Sequence, residues 1–230
     1  MSQTLMLVGA HHDDNELMAG TIARHRDAGW RVVSVVMTNG RWTADGLSED
    51  NIERRNDESR AAAKLLGTEP VFLGFREGVF AHTDASSRAV VEAIRKFKPD
   101  VVITHPPRDY HGDHMAVSRS VEDAVHRAGC PASDADDARH GGMLLYYCDA
   151  WTMPFDPDVY VDVSEHADLK RAALACHKSQ FTGGVPTPGD MIDIEMNRSR
   201  QRGFESDCDY AEVFQFAPRP GAVRKVGLLG

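Results

Sequence analysis

Apolar and polar positions along this 230-residue chain follow two rhythms. Short apolar runs occur at residues 4–9, 31–37, 71–73, 100–104, 143–148, 159–163 and 210–216. The runs Arg-Val-Val-Ser-Val-Val-Met (31–37) and Asp-Val-Val-Ile-Thr (100–104) are β-branched and almost continuously apolar, as strands buried on both faces are. Between the runs, segments 16–28, 51–66, 86–97, 115–128, 168–177 and 191–202 read as helices, several with apolar residues at helical spacing. Gly29 and Gly67 stop the first two, and Pro99 closes the third. Segments 41–50, 75–83, 129–142 and 178–190 read as loops. Strand and helix in regular alternation predict an α/β fold: a Rossmann-like, mostly parallel sheet with helices on both faces, its later strands adding an antiparallel or mixed edge. The length suits a single domain over residues 1–230.

Composition narrows the picture only a little. With 26 Lys and Arg against 35 Asp and Glu, the formal net charge is −9, which argues against a partner recognised through phosphate backbones. No nucleic-acid partner is therefore expected. The four cysteines (Cys130, Cys148, Cys176 and Cys208) form no CxxC pair and read as scattered thiols of a reducing compartment. No run approaches the ~20 apolar residues of a membrane span, and residues 1–4 carry no targeting signal, so a cytoplasmic location is expected. Self-association is left open.

Candidate chemistry sits at two of the strand ends. Gly9-Ala10 turns the first strand into His11-His12-Asp13-Asp14-Asn15-Glu16, and the fourth runs through His105 into His111-Gly112-Asp113-His114. In a parallel sheet these ends share one rim, where ligands bind. Ionisable groups packed this densely repel one another, and a bound cation relieves the repulsion. Two histidines and a carboxylate make a usual zinc shell with a position left for water, and His11, Asp14 and His114 can supply it. Asp13, Asp14 and Asp113 also suit helix N-caps, but capping alone leaves the paired histidines unexplained.

Ala10-His11-His12-Asp13-Asp14-Asn15-Glu16 resembles the AHPDDxE motif of the LmbE-like, or PIG-L, N-acetylglucosaminyl deacetylases, and His111-Gly112-Asp113-His114 resembles that family's HxDH. Weaker echoes are Arg55-Asn56-Asp57-Glu58, His177-Lys178-Ser179-Gln180 and Ala211-Glu212-Val213-Phe214. The resemblance spans nearly the whole chain. It implies Zn2+ (alternatively Fe2+) on His11, Asp14 and His114, with Asp13 as general base. It further implies that His111 stabilises the oxyanion or protonates the leaving amine, and that Asp113 orients a histidine. Arg55 matches a position that reaches sugar or phosphate. His12, which replaces the family's Pro, is a further substrate-contact candidate, or else an outward-pointing turn residue. His177 and Gln180, at a helix end, are candidates for the pocket wall, and Trp42, Phe80, Tyr110 and Trp151 are loop aromatics able to stack on a sugar.

The function so implied is hydrolysis of the N-acetyl group of a small N-acetylglucosamine-type sugar conjugate. Two other readings stay open at this point. The same ligand set serves non-haem Fe(II) oxygenases, although that chemistry gives Asp13 no task. A non-catalytic sugar- or metal-binding module is the other.

Overall fold

A computed structural model describes residues 2–131, 139–149 and 153–217. In chain order the strands and helices are β1 (Thr4–Gly9), α1 (Ala19–Asp27), β2 (Arg31–Thr38), β3 (Trp42–Thr43), β4 (Gly46–Leu47), α2 (Asn51–Leu66), β5 (Glu69–Phe75), α3 (Asp84–Phe97), β6 (Val101–Thr104), α4 (Gly112–Ala128), β7 (Leu144–Cys148), β8 (Val159–Asp162), α5 (Ala167–Leu174), α6 (Met191–Glu205) and β9 (Ala211–Phe216). Seven strands make one sheet in the order β5-β2-β1-β6-β7-β9-β8. The first five run parallel, and β9 lies antiparallel between β7 and β8. The expected mostly parallel sheet with a mixed edge is what forms.

Alternate residues of β1 enter opposite layers. Met6 and Val8 pack with Val90, Ile94, Val121 and Val125 of α3 and α4. Leu5 and Leu7 pack with Ile22, Leu66, Ala173 and Phe214 on the other side. This is why the strand reads as continuously apolar. From β1 the chain builds outward to β2 and β5 on one side and to β6 and β7 on the other, so the strand order reverses between β1 and β6. Both histidine-bearing segments leave the sheet at that reversal, where an open α/β sheet forms its crevice.

The sequence places some boundaries differently from the structure. The segment expected to start a helix at Glu16 begins with a 3-10 turn, Asn15–Met18, before α1. Helix α4 starts at Gly112 instead of 115, which puts His114 in its first turn. The loop after β2 contains the two-stranded ribbon β3–β4, too short for any periodicity to announce. The predicted 168–177 helix ends at Leu174, and a 3-10 turn, Lys178–Gln180, follows.

One buried cation ties the far elements together. Lys170 on α5 is fully buried; its Nζ donates to Glu195 Oε1 (2.7 Å), Glu212 Oε1 (2.8 Å), Ser199 Oγ (3.0 Å) and Leu17 O (2.5 Å). Glu212 also accepts from the backbone N–H of Gly20 and Thr21, so β9 caps the start of α1. Burial opposes the ammonium charge, but the two carboxylates outweigh it and raise the Lys170 pKa. Replacing Lys170 by Met leaves two buried carboxylates without their cation. Lys170→Met is expected to lower unfolding free energy by roughly 3–5 kcal/mol in urea titration. A loss below about 0.5 kcal/mol, the range of ordinary surface changes, would contradict this role.

Candidate metal centre and active site

Neighbouring strands pin the turn after β1. Thr38 of β2 bonds Ala10 O through both its N–H (2.9 Å) and its Oγ1 (2.8 Å). Thr104 of β6 donates to Val8 O at 2.8 Å. Asn15 is buried and donates to Ser34 Oγ (2.9 Å) and Val35 O (3.0 Å). A Cβ at Gly9 would stand 2.8 Å from Asn15 Oδ1 and 2.9 Å from Asp14 Cβ, so the turn closes only over glycine. Asp14 does not cap the following turn with its side chain; its Oδ2 accepts from His11 N at 2.6 Å. The cap of α4 is likewise not Asp113: His111 Nδ1 accepts from Asp113 N at 3.2 Å.

Three side chains converge where β1 and β6 end. His11 Nδ1 lies 3.2 Å from His114 Nε2 and 3.4 Å from Asp14 Oδ2, and His114 Nε2 lies 3.4 Å from Asp14 Oδ1. Ligands at tetrahedral corners about 2.0–2.2 Å from a zinc ion are themselves roughly 3.3–3.6 Å apart. The far nitrogen of each imidazole faces a carboxylate: His11 Nε2 is 3.3 Å from Asp113 Oδ2, and His114 Nδ1 is 3.1 Å from Asp109 Oδ1. Carboxylate behind imidazole is the usual support of a metal-binding histidine, fixing ring and tautomer. Donor set, spacing and support therefore fit a divalent cation. Among the described residues, two sets of three side chains bring ligand atoms within 4.8 Å of one another: His11, His111 and His114, and Asp14, His105 and His114. Each holds two of His11, Asp14 and His114, and Asp13 is in neither.

The electrostatics point the same way. Burial opposes protonation of His11 and His114, yet Asp14 between them outweighs it and pushes their pKa values up to about 10 and about 9. Asp14 is held well below the usual carboxylate range despite its burial, by His114, His105 and His11. His111 is shifted down, by burial and by the charges of His11 and His114. With Nδ1 accepting from Asp113 N, its proton sits on Nε2.

Asp13 is held apart from this cluster. Its Oδ1 accepts from Arg55 Nη2 at 2.6 Å, while Arg55 Nη1 reaches Glu77 Oε1 (3.0 Å) and Trp42 O (3.1 Å). Burial raises the Asp13 pKa, but the Arg55 guanidinium prevails and the net shift is downward. A cavity of about 490 Å³ opens over the site, lined among others by His11, Asp13, Asp14, His111, His114 and Gln180.

Several expected substrate contacts are placed elsewhere. Arg55 borders the cavity but is 1% exposed, with its guanidinium committed to Asp13 and Glu77, so it is neither a solvated arginine nor a free sugar contact. The adjacent Arg54 pairs with Asp45 and Glu58 at the surface. His12 does not point outward: it is fully buried, bonded through Nε2 to Asn56 Oδ1 (2.9 Å) and stacked on Phe72. Its ring fits because residue 40 is glycine, with φ +72°; a Cβ there would lie 2.4 Å from the imidazole. His177 is also fully buried, its Nε2 3.5 Å from Glu16 Oε2, and is not among the cavity-lining residues. Phe80 belongs to the core, whereas Trp42 and Tyr110 border the cavity. Trp151 lies outside the described residues.

Three further residues, His105, Asp109 and Glu77, take part in the site without any motif to announce them. His105 stacks on His114 with ring centroids 3.9 Å apart. Its Nε2 stands 3.0 Å from both Asp14 Oδ2 and Ala10 N. With the proton on Nε2 the ring donates to Asp14; with it on Nδ1 the ring accepts from Ala10. His105 and Asp109 lie inside the segment that follows β6, so their polar character was visible, but only the loop's path turns them onto Asp14 and His114.

The crevice at the strand reversal of this α/β fold gathers His11, Asp14 and His114, with Asp13 held separately beside them. Residues 6–125 match the family model PIG-L: GlcNAc-PI de-N-acetylase, and the chain belongs to that family. It is 28% identical over 233 residues to the diacetylchitobiose deacetylase of Thermococcus kodakarensis, covering 93% of this chain and 83% of that one. It is also 28% identical to the 1D-myo-inositol 2-acetamido-2-deoxy-alpha-D-glucopyranoside deacetylase of Rhodococcus erythropolis, covering 84% and 72%. Among solved structures, the conserved protein TT1542 of Thermus thermophilus superposes with a TM-score of 0.82 at 30% identity, covering 94% of each chain. No helix among the described residues is long and apolar enough to cross a membrane.

Burial, aided by Arg55, lowers the His12 pKa from 6.5 to about 4. The folded state thus favours the neutral ring, and the stability it adds above pH 6.5 is lost as pH falls toward about 4. An NMR titration of the His12 ring is expected to show a midpoint near about 4; a midpoint near 6.5 would contradict its buried placement.

Proposed function

We propose that the chain is a divalent-metal-dependent N-deacetylase acting on a neutral N-acetylglucosamine-type glycoside, with His11, Asp14 and His114 as metal ligands and Asp13 as general base. The observation that carries this reading is the division of labour between adjacent aspartates. Asp14 faces two imidazoles, each backed by a carboxylate, while Asp13 is turned onto Arg55 in the same cavity. A non-catalytic binding site has no need of the second carboxylate.

A divalent cation in the site supplies Lewis-acid activation of water and polarises the acetamide carbonyl; zinc suits the nitrogen and oxygen donors, with ferrous iron the alternative. Asp13, kept ionised by Arg55, takes a proton from the attacking water as the new C–O bond forms. It then delivers that proton to the sugar nitrogen as the C–N bond breaks, leaving acetate and a free amine. His111, with its proton on Nε2, donates to the carbonyl oxygen as negative charge gathers there. Asp113 serves both histidines: it holds His11 through its carboxylate and His111 through its backbone N–H. Gly78 N (2.7 Å) and Phe80 N (3.2 Å) fix that carboxylate in turn.

The cavity's charge selects for a neutral substrate. Asp13, Asp14, Glu77, Asp109 and Asp149 line it, and Arg55 is the only lysine or arginine among the described lining residues. Since Arg55 already serves Asp13 and Glu77, a substrate phosphate or carboxylate finds no free lysine or arginine among the described lining residues.

Asp13→Asn is expected to keep its metal by elemental analysis while acetate release from N,N'-diacetylchitobiose falls about 10²–10⁴-fold. His11→Ala or Asp14→Ala should lose the metal. Near-normal turnover by Asp13→Asn would refute the base assignment. His105→Ala should weaken metal affinity by roughly 10–100-fold in a chelator competition; unchanged affinity would show that His105 does not support the ligands.

A further inference from the structure

His177 does not line the cavity, yet its surroundings are unusual for a histidine that merely fills the core. The ring is fully buried, and neither of its nitrogens has a hydrogen-bond partner among the described residues. Its Nε2 faces Glu16 Oε2 at 3.5 Å, and that oxygen also lacks a hydrogen-bond partner there. A charge-assisted bond spans only about 2.7–2.9 Å. Burial opposes charge on the ring, but Glu16 and then Asp13 outweigh it and shift the His177 pKa upward. Most buried polar atoms are bonded, and a buried ion pair adds little stability over apolar side chains of similar size. Stability is therefore a weak reason for this pair, and its place in the fold supplies a better one.

Glu16 follows Asp13 by three residues, in the 3-10 turn Asn15–Met18. The residues after His177 reach the other two elements that hold Asp13. Ser179 N (2.8 Å) and Oγ (2.5 Å) donate to Glu58 of α2, three residues from Arg55 on the same helix. Ser179 O accepts from Ala44 N between β3 and β4 (2.9 Å), and Gln180 Nε2 donates to Trp42 O (3.4 Å). Arg55 Nη1 donates to that same carbonyl (3.1 Å), while its Nη2 donates to Asp13 (2.6 Å). The contacts close a ring that runs from Asp13 through Arg55, the Trp42 carbonyl, Gln180, His177 and Glu16 back to Asp13. The charges of Arg55 and His177 both act on Asp13.

We infer that His177 is a positioning residue for the base: paired with Glu16, it closes the ring of contacts that fixes the turn carrying Asp13. This rests on the deacetylase reading above, in which Asp13 takes the proton of the attacking water. Arg55 bonds Oδ1 of Asp13; where the other oxygen points depends on the turn itself. A misplacement of about 1 Å at a reacting group costs on the order of 100-fold in rate.

The test measures acetate release from N,N'-diacetylchitobiose by metal-loaded protein, at a temperature where each variant is folded. His177→Gln and Glu16→Gln should each lower kcat by roughly 10–100-fold, with KM changed less than about twofold and bound metal equal to wild type. Combined, they should lose no more than the worse single variant, because they act as one pair. Ser179→Ala removes one strut of the ring and should lower kcat by roughly twofold to tenfold; it decides the matter if His177→Gln does not fold. Wild-type kcat in the folded variants, even with lowered stability, would reduce the segment to a structural element and overturn the inference. So would a loss confined to KM or to bound metal. A second readout needs no turnover. The buried Arg55 guanidinium should give a slowly exchanging Nη proton signal by NMR, which His177→Gln should shift or broaden. If no sugar releases acetate, the deacetylase reading falls, and the Arg55 signal alone decides whether His177 sets the contact between Asp13 and Arg55. A signal unchanged in His177→Gln counts against it.

Discussion

Two imidazoles share one buried carboxylate at the point where the sheet reverses direction, and the rest of the site is arranged around that sharing. His11 arrives from the end of β1 and His114 from the first turn of α4, with Asp14 between them. Burial alone would neutralise both rings; Asp14 instead draws positive charge into the cluster. A cation meets that demand best when donor atoms are preset, because the cost of ordering them has been met during folding. Asp113 and Asp109 set the rings from behind, and His105 packs against His114. The histidines therefore have little freedom to turn away.

The same fold keeps the adjacent aspartates from performing the same task. A one-residue step in the turn after β1 sends Asp14 toward the histidines and Asp13 toward α2. There Arg55 holds Asp13 through Nη2 and Glu77 and the Trp42 carbonyl through Nη1. A buried arginine is costly unless its donors are matched, and here the matching links the turn, α2, the loop after β5 and the β3–β4 ribbon. The position of Asp13 and the cavity wall are thereby coupled through one side chain. Lys170 plays a comparable linking role for α5, α6, β9 and the start of α1.

Much of this was legible in the sequence, for definite reasons. The buried strands declare themselves because parallel strands covered on both faces are apolar at every position. The His-Asp clusters declare themselves because their residues are contiguous. Partners brought together by folding were harder to read. Arg55 looked like a substrate contact because its position, but not its partner Asp13 (42 residues away), is visible in the chain. His12 looked like a turn residue because nothing local reveals that Gly40, Asn56 and Phe72 enclose it. The weaker motifs turn out to be supports: Asn56 bonds His12, Glu58 accepts from Ser179 N and Oγ, and Glu212 caps α1. The two-residue strands of the ribbon that carries Trp42 are shorter than any period can detect.

The central claim is that His11, Asp14 and His114 grip a divalent ion from which Asp13 is excluded. Anomalous diffraction from crystals grown with zinc tests it most directly. The account predicts a single peak about 2.0–2.2 Å from His11 Nδ1, His114 Nε2 and an Asp14 carboxylate oxygen, with Asp13 still on Arg55. A peak ligated by Asp13, or a zinc-saturated protein with no ion between the two histidines, would contradict it.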